Sequence, residues 1–227
     1  MKYAQLPINF SEELLLNDLL ICEQFKFSSH YNHNDYEGDW TSIALRSHDG
    51  TQESVQAFSE DHKFYDTNLL EKCDYLKQVV STFKCEKESI RLLNLTAGSI
   101  IKEHSDPELG YSDGRFRIHI PITTNTKVSF VLDGDLLDMR VGSCWYGNFN
   151  LPHCVANKGK VDRVHLVIDC LRNDWSDEMF AEMGYDFELE KRSRQYSDET
   201  KQRIIEELKT HKTPESEALI RNILGKN

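Results

Sequence analysis

The sequence lacks several features that would place it in other classes of protein. It contains 27 lysines and arginines against 38 aspartates and glutamates, a formal net charge of −11, so it has no excess of basic residues of the kind that nucleic-acid-binding domains carry. Its most apolar early run, residues 14–21, is interrupted by Asn17 and Asp18. That run is too short to span a bilayer, and it lacks the order of a signal peptide. We therefore expect no nucleic-acid partner, no membrane and a cytoplasmic location.

The cysteines also lack a metal-binding or redox spacing. The six of them lie at positions 22, 73, 85, 144, 154 and 170, and no two form a Cys-x-x-Cys pair. This pattern favours reduced thiols over a disulfide framework. An acidic chain with free thiols suits a protein that acts on a small molecule or a peptide.

Alternating apolar and polar residues dominate the chain from residue 90 onward. The alternation predicts short β-strands, and turn signals such as Ala97-Gly98 and Asp133-Gly134-Asp135 separate them. Eight strands at this spacing predict a double-stranded β-helix, the jelly-roll core that cupins also have. The strand candidates are 90–96, 100–104, 115–120, 128–132, 136–140, 144–148, 154–157 and 161–170.

Helices are predicted on both sides of this core, so the fold class is mainly β with flanking helices. Ser11 is a candidate N-cap for a first helix, residues 66–83 show a helical apolar face, and residues 40–46 alternate as a further strand. We predict one domain over 1–175 and a C-terminal helical extension over 176–227 packed on it. The extension could serve as a lid or as a homodimer interface, but plain packing is favoured.

One polar constellation lies between residues 102 and 169. It contains His104-x-Asp106, a distal His153 and, ten positions further on, Arg163. Two histidines and one carboxylate form the facial set that binds mononuclear ferrous iron and leaves positions open for other ligands. A His-x-Asp pair alone is usually a surface pair. The arginine strengthens the interpretation, because its planar fork can hold both oxygens of a carboxylate.

The strands around these residues carry cationic faces. Period-two alternation places Arg115, Arg117 and His119 on one face of their strand, and it places Arg163 and His165 on one face of another together with Asp169. Unpaired buried charge is costly. We therefore expect an anionic ligand inside the barrel.

The sequence resembles the aspartyl/asparaginyl β-hydroxylase family of Fe(II)/2-oxoglutarate dioxygenases, which includes bacterial proline hydroxylases. The resemblance is dense from about residue 36 to 175. It implies Fe(II), 2-oxoglutarate and O2, and hydroxylation of an unactivated carbon of an Asp-, Asn- or Pro-type amino acid, free or in a small peptide, with release of succinate and CO2. The residues that carry it are His104-x-Asp106, Arg115-x-Arg117-x-His119-x-Pro121, Gly142 with Trp145, His153, and Arg163-x-His165 with Asp169.

The resemblance also implies a role for each site residue. His104, Asp106 and His153 would be the catalytic metal ligands. Asp106 is a departure from the vertebrate-type protein aspartyl hydroxylases, which lack an acidic ligand, and it favours a small substrate. Arg163 would hold the far carboxylate of 2-oxoglutarate, with His119 and Arg117 as further cosubstrate contacts. The candidates for substrate binding are Arg115, Arg117, Arg46, Trp40, Trp145 and His165.

Two other interpretations stay open at this point. His153-Cys-Val-Ala-Asn157 fits the His-x-x-x-Asn end of a cupin motif, which would allow a metalloenzyme of non-oxidative chemistry, although Arg163 would then have no obvious task. A non-catalytic anion-binding barrel could use the same arginines, but it would not need His104, Asp106 and His153 together. His30 and His33 lie in a polar, aromatic stretch that predicts a substrate-facing or surface loop.

Overall fold

The computed structural model describes residues 1–30, 32–57, 63–194, 198–211 and 213–223. The chain divides into two compact units, Met1–Tyr185 and Asp186–Asn227. The predicted boundary at residue 175, the packing of the C-terminal extension on the first domain and a homodimer through its helices all remain predictions.

Two antiparallel sheets form the first unit. Their strands are β1 (Tyr3–Asn9), β2 (Ser28–Ser29), β3 (Tyr36–Glu37), β4 (Trp40–Ser47), β5 (Tyr65–Asp66), β6 (Lys87–Leu95), β7 (Ile100–His104), β8 (Arg115–Thr123), β9 (Val128–Leu132), β10 (Asp135–Leu137), β11 (Ser143–Gly147), β12 (His153–Asn157) and β13 (Arg163–Leu171). The large sheet has the strand order β1-β11-β8-β13-β6-β4-β2, with β5 paired to β4, and the small sheet has the order β10-β9-β12-β7-β3.

This arrangement is the predicted jelly roll, with a β core and flanking helices. All eight strands predicted from the alternation after residue 90 are present. Their order along the sheets is not their order along the chain, because β8 lies between β11 and β13 while β9 and β12 pair in the other sheet. Residues far apart in sequence therefore meet between the two sheets.

The core between the sheets contains both an apolar cluster and a group of buried ionisable side chains. Trp40, Leu95 and Trp145 of the large sheet belong to one buried cluster with Phe130 and Val155 of the small sheet. The strands β6, β8 and β13 add ionisable side chains to the inner face of the large sheet, while their alternate residues are apolar and buried on the outer face. The inner-face residues are Arg91, Arg117, His119, Arg163, His165 and Asp169.

Two helices of the first unit begin at residues whose side chains cap them. α1 (Glu12–Cys22) begins after Ser11, whose side chain accepts a hydrogen bond from the Leu14 N–H. α3 (Asp174–Glu182) begins after Asn173, which caps the Ser176 N–H. Within the described residues no helix combines the length and apolarity that crossing a membrane requires.

The predicted helix over residues 66–83 is only partly correct. Residues 65–66 form β5, Leu70–Lys72 form a short 3-10 helix, and α2 covers Asp74–Thr82. Asp66, Thr67 and Asn68 favour turns over helix, and the Thr67 hydroxyl hydrogen-bonds the main chain of β4. Because this segment pairs with β4, α2 begins about two turns later in the chain than predicted.

Gly142 lies in the connection from β10 to β11 and has a positive φ of 74°. A Cβ built there would come within 2.4 Å of the Phe10 carbonyl oxygen. The Gly142 N–H also donates to the Pro121 carbonyl. Only glycine combines this conformation with this close approach.

The second unit contains three helices among its described residues: α4 (Phe187–Arg194), α5 (Asp198–His211) and α6 (Pro214–Ile223). Thr213 caps α6, because its hydroxyl accepts from the Ser216 N–H, and Pro214 occupies the first helical position.

Candidate active site

Strand pairing in the small sheet brings the predicted metal ligands together. His104 at the end of β7 lies directly opposite His153 at the start of β12, and their ring centroids are 4.2 Å apart. Asp106 follows β7, and its N–H donates to the Phe149 carbonyl. One potential ligand atom from each of these side chains lies within 4.8 Å of the others.

Main-chain carbonyls fix the orientation of both histidines. The Nδ1 of His104 lies 2.8 Å from the Lys102 carbonyl oxygen, and the Nδ1 of His153 lies 3.0 Å from the Leu151 carbonyl oxygen. A carbonyl oxygen only accepts, so Nδ1 carries the proton in each ring and Nε2 keeps its lone pair. Burial lowers the pKa of His153 to about 4. The ring is therefore neutral at physiological pH, as a metal ligand must be.

An ion-pair network extends from Asp106 across the large sheet. Arg117 donates to Asp106 over 2.6 Å and binds both oxygens of Asp169 at 2.6 and 3.2 Å. Arg91 donates to the same Asp169 over 3.0 Å. Burial alone would raise the pKa of Asp106, but Arg117 holds it below its usual range. Asp106 is therefore a carboxylate, with one oxygen held by Arg117 and the other turned towards His104.

Arg163 has a different environment. Its side chain is 1% exposed, and within the described residues it makes no ion pair. Its Nη2 bonds the Nδ1 of His165 at 2.8 Å, its guanidinium lies 5.4 Å from the Phe130 ring centre, and its Nε has no hydrogen-bond partner. Burial lowers its pKa to about 9, which leaves it cationic at neutral pH. This is a buried cation without a counter-ion.

His119 lies between Arg163 and the metal ligands. Its Nδ1 is 3.3 Å from the Nδ1 of His165, and its buried Nε2 has no hydrogen-bond partner. Burial and the nearby Arg163 lower its pKa well below the usual value. The neutral ring therefore offers a free nitrogen in the chamber that Arg163 also lines.

Three spaces surround these residues, and the smallest shares lining residues with each of the other two. Cavity A has a volume of about 400 Å³ and opens at the metal end; its walls include Trp40, Arg91, His104 and Asp106. The inner chamber, about 40 Å³, is lined by all three potential metal ligands together with Arg117, His119 and Arg163. Cavity B, about 640 Å³, lies at the other end and is lined by Arg163, His165, Phe130 and the connections around β9 and β10.

The remaining predicted site residues are divided between these spaces and the periphery. Trp40 lines cavity A and the inner chamber, and His165 lines cavity B. Three others line none of these spaces. Arg115 binds Glu88 through two hydrogen bonds, Arg46 pairs with Asp66, and the Trp145 indole N–H donates to Ser143.

Protein carboxylates remove the reason to expect an anionic ligand at Arg115 and Arg117, so among the described residues of these faces the expectation stays a prediction for Arg163. Arg117 is neutralised by Asp106 and Asp169, and Arg115 is neutralised by Glu88. Alternation along one strand cannot reveal these partners, because they lie on other parts of the chain. The strand order and the register between strands decide which residues meet.

Asn157 of the cupin-like pattern has a structural task. Its side-chain amide donates to the carbonyls of Leu95 and Val161, and its carbonyl accepts from Asn125. It lies at the opposite end of β12 from His153 and does not line the inner chamber. The pattern therefore gives no support to a cupin-type metal site.

Sequence reasoning missed Arg91 as a wall residue of cavity A, whereas His30 and Asp35, which also line it, belong to the stretch predicted as a substrate-facing or surface loop. Arg91 is buried, its Nη1 donates to the Val55 carbonyl, and its Nε has no hydrogen-bond partner. His30 stacks on Trp40 with 3.7 Å between ring centres, and burial lowers its pKa to about 4. An arginine inside the apolar run from Ile90 to Leu93 was the available signal for Arg91.

The fold and the ligand set together define a class: a jelly-roll protein with the two-histidine, one-carboxylate set of non-haem iron oxygenases. A family model described as Aspartyl/Asparaginyl beta-hydroxylase matches residues 12–173. The chain belongs to this family, as the sequence resemblance predicted.

A curated relative is the L-proline cis-4-hydroxylase of Rhizobium meliloti. It is 30% identical over 165 residues, which is 71% of this chain and 58% of the relative. The chain thus spans less than two thirds of that protein's length.

Solved structures share the fold at low identity. A 2OG-Fe(II) oxygenase family oxidoreductase from Burkholderia pseudomallei has a TM-score of 0.54 and 13% identity, with 76% of this chain and 86% of that one covered. HygX from Streptomyces hygroscopicus, solved with nickel and 2-oxoglutarate bound, has a TM-score of 0.50 and 9% identity, with 76% and 84% covered. They support the jelly-roll assignment.

Proposed function

We propose that the protein is an Fe(II)/2-oxoglutarate-dependent dioxygenase that hydroxylates an unactivated carbon of a free amino acid. The observation that carries this proposal is the pairing of two features in one chamber. His104, Asp106 and His153 present metal-ligand atoms to each other, and Arg163 is a buried cation without a counter-ion. A metal site alone would leave Arg163 unexplained, since burying an unpaired charge is costly.

The residues present fit ferrous iron. Two imidazole nitrogens with free lone pairs and one ionised carboxylate oxygen are the donors that this metal accepts, and they leave positions for other ligands. Arg163 fits the far carboxylate of 2-oxoglutarate, with the free Nε2 of His119 beside it. When bound, iron and 2-oxoglutarate supply the oxidising chemistry, with O2 as oxidant and succinate and CO2 as products.

The protein's own residues orient the ligands and exclude water. Arg117 holds one oxygen of Asp106 and is itself held by Asp169, so the carboxylate has one orientation. Phe130 and Phe149, both buried, line the chamber beside the histidines. This leaves little room for solvent around the reacting groups.

Cavity A fits a zwitterionic amino acid. Once Asp106 ligates a metal ion, two arginines, Arg91 and Arg117, face one remaining carboxylate, Asp169. The surplus positive charge and the free Nε of Arg91 suit an α-carboxylate. Asp35 lines the same cavity and suits the ammonium or imino group, while the stacked rings of Trp40 and His30 form an apolar wall. A volume of about 400 Å³ is in the range of small-molecule sites.

This set of partners favours a free amino acid over a peptide, because a residue inside a peptide has neither charged group. The L-proline cis-4-hydroxylase relative makes proline and its ring homologues the first candidates. A cytoplasmic location, where such amino acids occur, is part of this proposal and is supported by the six free thiols.

The test is succinate production from 2-oxoglutarate by protein loaded anaerobically with Fe(II) and then exposed to air. The panel contains free L-proline, other free amino acids, and the same residues within blocked tripeptides. His104→Ala and Arg163→Met are the site variants. Arg192→Met, at an exposed arginine of α4, is the matched control.

We expect turnover that one free amino acid stimulates, that both site variants lose and that the control variant keeps. Stimulation by blocked tripeptides but not by free amino acids would overturn the substrate class and leave the reaction standing. Absence of turnover and of 2-oxoglutarate binding by calorimetry, in protein with confirmed iron loading, would overturn the proposed function.

A further inference from the structure

Cavity B has no task in the proposed reaction, although it is larger than cavity A. The residues that line the two cavities do not overlap among those the structure describes. Cavity B therefore opens to solvent at a different place from the mouth that would admit the amino acid.

Arg163 and Phe130 form the partition between cavity B and the inner chamber, because both residues line both spaces. His165, which holds Arg163 through Nη2, lines cavity B only. The buried cation can therefore be approached from two sides. From cavity A it lies beyond the metal ligands, whereas from cavity B it is the first charged group at the partition.

The inner chamber is too small to store the cosubstrate away from both openings. A water molecule needs about 10–15 Å³ of such volume, so a chamber of about 40 Å³ holds only a few waters. A dicarboxylate that spans from the metal ligands to Arg163 has to pass through cavity A or cavity B. Passage through A requires the amino-acid site to be empty, whereas passage through B does not.

The lining of cavity B suits a small, hydrated dicarboxylate. Thr124, Asn125 and Thr126 supply hydroxyl and amide groups, and Glu12 also lines the cavity. Asp138 pairs with Arg140, whereas Arg163 has no such partner among the described residues. Residues 138–140, which cover one side, have no regular structure. The exposed Leu136 of β10 also lines the cavity.

We propose that cavity B is the route by which 2-oxoglutarate reaches Arg163 and by which succinate leaves, so that the cosubstrate and the amino acid use separate mouths. This inference rests on the proposed function. Its consequence is that succinate can be released and replaced while an amino acid or its hydroxylated product still occupies cavity A.

The test measures how fast 2-oxoglutarate binds and leaves, without turnover. The full chain is loaded with Ni(II), which such ligands bind more tightly than Fe(II), and isotope-labelled 2-oxoglutarate is followed by rapid filtration. Leu136→Trp narrows cavity B, and Thr126→Trp is a second variant on the same cavity. Gln56→Trp is the matched change in cavity A. All three positions are exposed, and urea unfolding checks that each variant is folded.

We expect Leu136→Trp and Thr126→Trp to slow association and dissociation by about tenfold each, with the dissociation constant little changed. A tryptophan in cavity B would raise the energy barrier for 2-oxoglutarate to enter and leave, but it would not touch 2-oxoglutarate once this is bound. Gln56→Trp should leave both rates unchanged.

The reverse pattern, in which Gln56→Trp slows 2-oxoglutarate and both cavity B variants do not, would overturn the route. Wild-type protein that binds nickel but no labelled 2-oxoglutarate would instead overturn the proposed function, so the two failures are distinguishable.

Discussion

The inner face of the large sheet carries two groups of arginines that differ in how their charge is balanced. Near the metal ligands, Arg91 and Arg117 face Asp169 and Asp106, so cations and carboxylates balance. At the other end, Arg163 has a histidine and an aromatic ring as neighbours and no carboxylate. A balanced cluster maintains the protein's own architecture, whereas an unbalanced cation has its counter-ion in a ligand. Without a metal ion the first group is balanced by the protein's own carboxylates, whereas Arg163 depends on a ligand for its counter-ion. A surplus of charge at Arg91 and Arg117 arises only when Asp106 ligates a metal ion.

Removing the unbalanced cation should have the largest effect on binding and little effect on stability. We expect Arg163→Met to weaken 2-oxoglutarate binding by about 30- to 5,000-fold, because losing one partner of a buried charge pair costs about 2–5 kcal/mol. The ligand-free variant should be at least as stable as the wild type, since a buried unpaired charge is removed. Calorimetry and urea unfolding measure the two quantities, with Arg192→Met as the control. A strongly destabilised Arg163→Met protein would contradict the comparison.

Removing a balanced cation should show the opposite pattern. Arg117→Met leaves Asp169 with one partner fewer and Asp106 with none of its hydrogen bonds to arginine. We expect a loss of about 3–5 kcal/mol in the free energy of unfolding. The double variant Arg117→Met/Asp106→Asn should recover part of this loss, because it removes the carboxylate left unpaired and keeps the Arg91–Asp169 pair. If it is less stable than Arg117→Met alone, the two charges do not act as a pair.

Acidification should affect the metal-free protein through its buried neutral histidines. His153 and His30 have pKa values lowered to about 4 in the folded state by burial, whereas the unfolded chain has an ordinary value near 6.5. The unfolded state therefore binds more protons between these values, and stability falls as the pH drops from about 6.5 to about 4. We expect a loss of about 3 kcal/mol for each histidine by pH 4.

Urea unfolding at several pH values measures this loss. His30→Phe, which keeps a ring against Trp40, should reduce the slope. A free energy of unfolding that stays constant from pH 7 to pH 5 would show that neither histidine is held neutral.

The smallest effect is expected at Arg46, which lies outside both groups. Its partner Asp66 is substantially exposed, and such pairs contribute about 0–1 kcal/mol. Arg46→Ala should change the free energy of unfolding by no more than this amount and should not change the KM for the amino acid. A large rise in that KM would restore the sequence-based hypothesis that Arg46 binds substrate.

The sequence was most informative where a single strand carries the signal. Alternation located the strands after residue 90, and residue spacing selected His104, Asp106, His153 and Arg163, which the structure brings around one chamber. It failed where the answer depends on register between strands. The partners of Arg117, the position of Arg91 in cavity A and the peripheral location of Arg115 all follow from the order β8-β13-β6. The edge strand β1, with Pro7 in it, also gave no clear signal.

The three potential metal ligands belong to or follow strands of the small sheet, whereas Arg163 belongs to the large sheet. A cosubstrate bound to the metal at one end and to Arg163 at the other would fasten the two layers of the jelly roll to each other. Part of its binding free energy would then stabilise the packing of the two sheets against each other. Amide protons on both sheets would exchange more slowly with solvent. Without the cosubstrate the two sheets would lack this link, so their amide protons should exchange faster in the ligand-free protein than in the complex.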